Sequence, residues 1–578
     1  MKLNKFKTIA PTVALLLSAG LSSCMDDLDK GNIDPTVDPN PNITGLYSKC
    51  YAGLIMEGND GTADFTIDDN GKSTLLRNIF NFNELPTDEA VCWWSDGGLT
   101  DISYNNFDAG NATLKNLYYR LMSNISYENH FLSLDAAKAD PTKYAEVRVI
   151  RAYSYLLMLD FFGDPTFIDK ISAETPRQAH SYNSKFEEGK TYTRAELLQM
   201  GREFLFNWVE SELLAAEPDL LEAKPETDTD PDYGRVDKGT CWLLLSRLYL
   251  NAGTYLNNDG QNNPHWDKAL EYAEKVILDS DYALFDDSKM PNDAKANGYK
   301  PYDLLFMGDN GSNGASCEAL LPLMQDGAIT QGWGGSLFFV AALWDPTMQT
   351  VVGKDAGTTG NSWSGMRVRP QFVEKFFTDP NVVVGKKASE LRAMNIDDRA
   401  LLWGVGTSDG ARTLKIGDND KFIKGISTTK WNNNYSNNGT PHDNFCVDID
   451  FFLFRVAEAY LNAAEAEMHI NGEGSAKAKG YIDALRNRAH AAVRPSYTLN
   501  DVLDERSREL YCEGLRRTDL IRFNQFGGTQ ATYKWELKGG STNGTTFTKT
   551  YNVYPLPSSE VRSNKNLTQI DGYNEVQN

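Results

Sequence analysis

Two adjacent tryptophans, Trp93 and Trp94, are the side chains of this sequence best suited to contact a ligand. They follow an acidic turn and run into Gly97 and Gly98, within the stretch 81–98. Adjacent side chains face opposite ways on a strand and lie about 100° apart on a helix, so the two indoles are not expected against one core wall. An indole exposed in a glycine-rich loop offers a flat surface for stacking, and core packing is the alternative for either ring.

Other tryptophans also lie outside the helical patterns, namely Trp333, Trp344, Trp363, Trp403 and Trp431. Trp333 and Trp363 have glycines close on both sides. Sugars present apolar C–H faces that stack on such rings, while their hydroxyls need Arg, Asp or Asn partners for orientation. The pattern therefore predicts a carbohydrate-binding surface, with burial as the default for any single ring.

Motifs for catalysis are weak. Residues 406–410 satisfy G-x-S-x-G, but a nucleophile elbow needs a buried strand before the serine and a helix after it, and the flanking residues suit neither. No H-E-x-x-H occurs among the six histidines, which excludes a metalloprotease of that class. With 79 acidic residues, some pair will lie at the ~5–9 Å of a glycosidase by chance. None of these motifs therefore predicts a catalytic site.

The first residues predict export. Residues 1–23 combine lysines, a short apolar run and the small residues Ser22 and Ser23 before Cys24, which is typical of a signal peptide. The segment resembles the lipobox of bacterial lipoproteins, in which the cysteine is acylated and becomes the mature N-terminus. An ordinary secretory signal is the alternative. Residues 24–43 are rich in Asp, Asn and Pro and predict a flexible tether after lipidated Cys24.

The net charge, the apolar segments and the cysteines of the chain limit the classes of partner and ligand that it can bind. The chain has 578 residues and a formal net charge of −22, which makes nucleic-acid binding improbable because phosphates would be repelled. No later segment has the ~18 uncharged apolar residues of a membrane helix, so the body is expected to be held by its lipid alone. Six cysteines follow Cys24 without a C-x-x-C pair; metal ligation by them is not predicted, and their disulfide state is left open.

Apolar stripes at helical spacing recur in pairs from about residue 114. Small residues such as Ala463, Ala464 and Ala466 would let paired helices approach closely, which suggests a tetratricopeptide-like scaffold. Between 281 and 445 the chain is rich in Gly, Asn, Asp and Trp and predicts an irregular recognition lobe. The segment 538–554 alternates and predicts a hairpin. The predicted helices cover residues 144–162, 193–214, 234–255, 266–277, 450–468, 476–492 and 499–515.

The C-terminal third carries long motifs of a known family. Residues 448–466, 482–489, 504–523 and 554–557 resemble the SusD family (SusD/RagB) of outer-membrane nutrient-binding lipoproteins. Three upstream segments fit as well, at 83–89, 148–163 and 234–253. Several motifs in the right order cover nearly the whole mature chain.

The resemblance implies a mostly α fold, a SusD-like α-α superhelix with four tetratricopeptide-like helix pairs. A single body, 44–578, would divide into a helical scaffold and an irregular lobe that carries the ligand site. The scaffold would comprise 111–280 and 446–520, and the lobe 44–110 and 281–445.

The resemblance also implies a function. It indicates a surface-exposed lipoprotein, anchored in the outer membrane by its lipid, that caps a SusC-like TonB-dependent transporter. Such a protein is a non-enzymatic capture lid with no required cofactor. The chain is most similar to the starch-binding members, so starch or maltooligosaccharide is the expected ligand. The alternatives are the same role for a different glycan or a peptide, and a glycoside hydrolase.

The same resemblance implies which residues bind the ligand and which hold a calcium ion. An arc of aromatic rings with an arginine and polar loop residues at its rim would bind the glucan. Trp93 is the expected first ring, with Trp94 as packing residue or alternate. The implied ligand-binding residues are Arg77, Trp93, Trp94, Asp96, Trp333 and Trp363. The resemblance further implies a structural calcium ion held by Asp309, Asp448 and Asp450.

Overall fold

The computed structural model describes residues 42–57 and 71–574. The predicted signal peptide, Cys24 and the tether as far as residue 41 lie outside the described residues. The described residues from Tyr47 onward form one compact unit. Within the described ranges, every helix is too short or too polar to span a bilayer. All six cysteines after Cys24 fall inside these ranges and are unpaired thiols there.

Helices make up most of the regular structure, and the strands are short. The helices are α1 Ile43–Ala52, α2 Leu75–Asn83, α3 Leu99–Ser103, α4 Ala112–Ser133, α5 Asp135–Lys138, α6 Pro141–Phe162, α7 Arg194–Ala216, α8 Lys238–Leu250, α9 Ala252–Asn257, α10 Trp266–Leu278, α11 Asn292–Ala296, α12 Pro301–Leu304, α13 Ser336–Leu343, α14 Pro370–Val373, α15 Ala388–Arg392, α16 Val456–Asn471, α17 Ala476–Arg488, α18 Leu499–Leu510, α19 Arg516–Arg522 and α20 Ser558–Ser563. The strands are β1 Ala90–Cys92, β2 Thr166–Phe167, β3 Arg177–Gln178, β4 Ala319–Leu323, β5 Met366–Val368, β6 Leu402–Trp403, β7 Ser427–Thr428 and β8 Phe451–Arg455. They form four two-stranded antiparallel sheets, β1–β5, β2–β3, β4–β8 and β6–β7.

The long helices pack in series and form the scaffold. Helix α6 lies against α4 and α7, α10 lies against α8 and α16, and α16 contacts α17 and α18. Ala273 of α10 belongs to one buried cluster with Ala463 and Ala464 of α16, as expected if small residues allow close approach. The prediction of a mostly helical fold is confirmed; the tetratricopeptide-like arrangement stays a prediction.

Local sequence sets several helix ends. Thr193 caps α7 in a capping box with Glu196, one residue before the helix begins. Asp237 caps α8 by accepting a hydrogen bond from the Thr240 amide, so this helix begins four residues later than predicted. Gly163 ends α6 with a φ of 71°, a conformation that favours glycine.

Three further predicted elements differ from the structure. Residues 450–468 were expected as one helix, but β8 occupies the start and α16 begins at Val456. All of β8 is buried and pairs with β4, and such a short apolar run suits a strand or a helix equally. The last helix of the predicted set ends at Leu510 because Tyr511 leaves the helical region with a ψ of 141°, and Cys512 after it adopts a φ of 62°. The expected hairpin at 538–554 is instead two short 3₁₀ turns, Lys538–Gly540 and Lys549–Asn552.

A buried cluster of charges ties these elements together. Arg455, the last residue of β8, donates to Glu318 at 2.6 Å, to Glu513 at 2.7 Å and to Glu509 of α18 at 3.1 Å. Burial by itself would raise the pKa of Glu509, but Arg488, Arg455 and Arg399 outweigh it and lower that pKa to about 2. Charge-assisted hydrogen bonds of this kind cost much to break when one partner is removed.

We expect Glu509→Gln to destabilise the protein by about 3–5 kcal/mol at pH 7, because it leaves buried arginines short of a counter-charge. The difference should shrink as pH falls from about 4.5 towards about 2, where the unfolded wild-type chain takes up the proton first. Urea unfolding of both proteins at several pH values measures the difference in their free energies of unfolding. The exposed Glu188→Gln serves as control, and a loss of stability that is equal at all pH values would contradict the assignment.

Candidate functional site

A two-stranded sheet brings two of the predicted tryptophan segments together. Strands β1 and β5 pair antiparallel with Cys92 opposite Met366. The residues that follow β1 therefore lie beside those that precede β5, and the Trp93 amide donates to the Gly365 carbonyl at 3.3 Å. This pairing places Trp93 and Trp94 next to the loop of Trp363.

Helix α13 holds the other end of that loop and also follows Trp333. All eight residues of α13 are buried. Its last carbonyls have no partner within the helix. Here the Ala341 carbonyl accepts from the Trp363 amide at 2.6 Å, and the Ala342 carbonyl accepts from the Gly365 amide at 2.8 Å. One buried helix thus positions both Trp333, just before it, and Trp363, at its C-terminal end.

Three indoles form a continuous series of ring contacts in space. We call these rings, Trp94, Trp363 and Trp333, the aromatic row. The ring centroids of Trp94 and Trp363 are 6.4 Å apart with planes tilted by 47°. Those of Trp363 and Trp333 are 5.9 Å apart with a tilt of 38°. Trp94, expected as packing residue or alternate, is the ring that contacts Trp363. Trp93 lies beside the row, 38% exposed, with its indole N–H donated to the Ser364 carbonyl.

The row faces a cavity of about 790 Å³, a volume in the range of ligand sites. All six of the predicted ligand-binding residues line this cavity. Lys72, Ser95 and Asp420 also line it and were not singled out from the sequence, since single polar residues in loops carry no pattern. The lining residues are Lys72, Arg77, Trp93, Trp94, Ser95, Asp96, Trp333, Trp363 and Asp420.

Arg77 of α2 supplies a buried charge at the edge of the row. Its guanidinium lies 4.7 Å from the centroid of the Phe338 ring of α13 and 3.7 Å from the carboxylate of Asp96. Burial lowers the pKa of Arg77, while the Asp96 charge opposes that effect. The Asp96 side chain stays 38% exposed. Such a loosely paired set keeps donors and acceptors free for ligand hydroxyls.

The remaining loop tryptophans do not reach the cavity. Trp344, Trp403 and Trp431 are almost fully buried, and the Trp344 indole N–H donates to the Trp431 carbonyl at 2.7 Å. Their role is packing. The G-x-S-x-G residues 406–410 form a tight turn closed between Thr407 and Gly410, and no helix follows in the described chain before α16. A nucleophile elbow is therefore not formed there.

The three acids implied as calcium ligands each accept a hydrogen bond from a protein donor. Asp309 accepts from Ser436, Asp448 accepts from the Gly327 amide at 2.8 Å, and Asp450 accepts from Tyr233 at 2.7 Å. A calcium ion held by these three residues stays a prediction. In the part of the chain that the structure describes, the group with ligand atoms within 4.8 Å of one another is Asp326, His442 and Asp448.

Trp94 lies directly on the backbone of Gly365. A Cβ added at Gly365 would come within 2.2 Å of the Trp94 ring, and we expect Gly365→Ala to displace that indole and to cost about 1–3 kcal/mol of stability. Near-ultraviolet circular dichroism should change while the far-ultraviolet spectrum does not. Gly474→Ala, at a position with open space around it, is the control. Superimposable near-ultraviolet spectra would refute this contact.

Comparisons with known proteins agree with this architecture. The sequence model of the SusD family matches residues 342–573. Starch-binding protein SusD of Bacteroides thetaiotaomicron is 34% identical, over 96% of this chain and 97% of its own length. SusD-like protein P25 of Formosa agariphila is 23% identical, over 74% of this chain and 72% of its own.

Solved structures show the same fold. A SusD superfamily protein from Parabacteroides distasonis superposes with a TM-score of 0.61 at 17% identity, covering 93% of this chain and 100% of its own. A laminarin-binding SusD-like protein superposes with a TM-score of 0.60 at 17% identity, covering 94% and 100%. With a relative 34% identical along nearly the full length of both chains, this protein belongs to the SusD family.

Proposed function

We propose that this protein binds an α-glucan, starch or maltooligosaccharide, at the aromatic row and passes it to a transporter without cleaving it. The observation that carries the proposal is the row itself: three tilted indoles in contact, open to a cavity that is edged by Arg77 and Asp96. Stacking on the rings supplies contact area, and the polar groups orient the hydroxyls.

The tilt of the rings favours a curved ligand. Successive planes differ by 47° and 38°, so a flat, ribbon-like glycan cannot stack on all three faces at once. An α-1,4-linked glucan bends along its length and presents its sugar rings at successive angles. The relative that is 34% identical is a starch-binding protein, which supports the same ligand class here.

The row suits capture and release. A ligand that must be handed on should bind modestly, with a free energy of about −4 to −6 kcal/mol. The proposal includes lipidation of Cys24, location at the cell surface on the outer membrane, and a SusC-like TonB-dependent transporter as partner. Support for these comes from the N-terminal sequence and from membership of the SusD family.

Trp363→Ala should weaken binding of amylopectin and maltoheptaose about tenfold or more, because Trp363 contacts both other rings of the row. Trp333→Ala should weaken it in the same direction. Isothermal calorimetry gives the affinities, and affinity electrophoresis in amylopectin gels gives an independent reading.

The control for these variants is Trp266→Ala, a half-buried tryptophan of α10 that stacks on His469 and does not line the cavity. Laminarin and a panel of other glycans, with unrelated peptides, test the alternative cargoes. If amylopectin gels retard Trp363→Ala as much as the wild type, the α-glucan assignment is wrong. Reducing sugar released over time from starch would defeat the non-enzymatic role.

Replacing Cys24 by alanine should abolish lipid attachment and release the protein from the outer membrane, since acyl chains contribute about 0.8 kcal/mol per buried methylene to anchoring. Metabolic labelling with a fatty acid analogue and membrane fractionation measure both effects. Cys317→Ala, at a half-buried thiol, is the control and should remain labelled and membrane-bound. Labelling of the Cys24→Ala protein would disprove this site of acylation.

A further inference from the structure

An exposed phenylalanine continues the aromatic row beyond the cavity. The ring of Phe445 is 5.5 Å from that of Trp333, at an angle of 88°, and its side chain is 40% exposed. Phe445 does not line the cavity itself. The contacts therefore run from Trp94 through Trp363 and Trp333 to Phe445, so that the last ring stands at the open end of the row.

The position of Phe445 is held by the same loop that carries Trp363. Asn361, buried to 1% exposure, donates through its amide nitrogen to the Phe445 carbonyl at 2.6 Å. Its amide oxygen accepts from the indole N–H of Trp363 at 3.2 Å. The adjacent backbone is fixed as well, since the Thr359 amide donates to the Asn444 carbonyl at 2.5 Å. One buried side chain thus links the middle of the row to its outer ring.

The two ends of the row differ in chemistry. Asp96, two residues after Trp94, pairs with Arg77 at 3.7 Å, so hydroxyls find charged partners near that ring. At the other end Trp333 contacts the apolar ring of Phe445, while its backbone amide donates to the Glu57 carboxylate at 2.7 Å. A sugar on the Phe445 ring itself would gain mainly C–H stacking, which tolerates different chain lengths and orientations. The Phe445 ring stands at 88° to the Trp333 ring, so a chain stacked on Trp333 must turn to stack on Phe445 as well.

We propose that Phe445 is a further sugar-binding ring, which adds a subsite used by longer chains that extend past Trp333. This inference rests on the proposed function, because it assumes a glycan bound along the row. Short ligands find their best contacts on the three indoles and do not need Phe445. Longer ligands reach it and gain affinity.

The test compares maltotriose, one sugar for each indole of the row, with maltoheptaose by isothermal calorimetry on the full-length protein. Phe445→Ala should weaken maltoheptaose about three- to tenfold and leave maltotriose unchanged. Phe445→Tyr keeps the ring and should retain the wild-type affinity for both. Ile329→Ala, at an exposed apolar residue outside the row, should change neither and controls for loss of apolar surface.

Each other outcome has a defined meaning. Equal weakening of both ligands by Phe445→Ala would show that Phe445 only supports Trp333, and no change in either would show that it is not used; both overturn the inference. Trp363→Ala is measured in parallel with the same two ligands, because its loss of affinity tests the proposed function. If Trp363→Ala leaves both affinities unchanged, the proposed function itself fails, which distinguishes that failure from failure of the Phe445 subsite.

Discussion

The site depends on one buried apolar helix, α13. Its residues pack beneath Arg77 and against the core, with Phe339 in contact with Phe80 of α2 and Phe451 of β8. A helix buried in this way must satisfy its terminal carbonyls, and the loop that carries Trp363 does so. The need to pair buried backbone groups therefore also places the central ring of the aromatic row.

Charged side chains are tightly paired in the scaffold but loosely paired at the site. In the scaffold, Arg455 and Glu509 are fully buried and paired within a dense cluster, so their charges add specificity to the packing of β8 and α18. At the site, Arg77 is buried but its partner Asp96 is 3.7 Å away and partly exposed. The buried cluster keeps its donors and acceptors for its own ion pairs, whereas the Arg77–Asp96 pair leaves hydrogen-bonding groups that ligand hydroxyls can use.

Glycines matter here because they let rings and backbone approach closely. From the sequence, the glycines around Trp333 and Trp363 suggested rings that are easy for a ligand to reach. The structure shows a further physical role: Trp94 lies on Gly365, and a Cβ at Gly334 would come within 2.4 Å of Thr74. Trp94 can line the cavity with its other side on the backbone of Gly365 because that residue carries no side chain.

The sequence by itself determined the helical scaffold, the family motifs and the residue types of the site. These depend on periodicity and on neighbours along the chain, which a sequence displays directly. It did not separate β8 from α16, because a short buried apolar run fits either element. It also did not show that Trp94 rather than Trp93 contacts Trp363, or that Phe445 joins the row. Those features were decided by the tertiary structure, because they depend on the β1–β5 register and on packing between segments far apart in the chain.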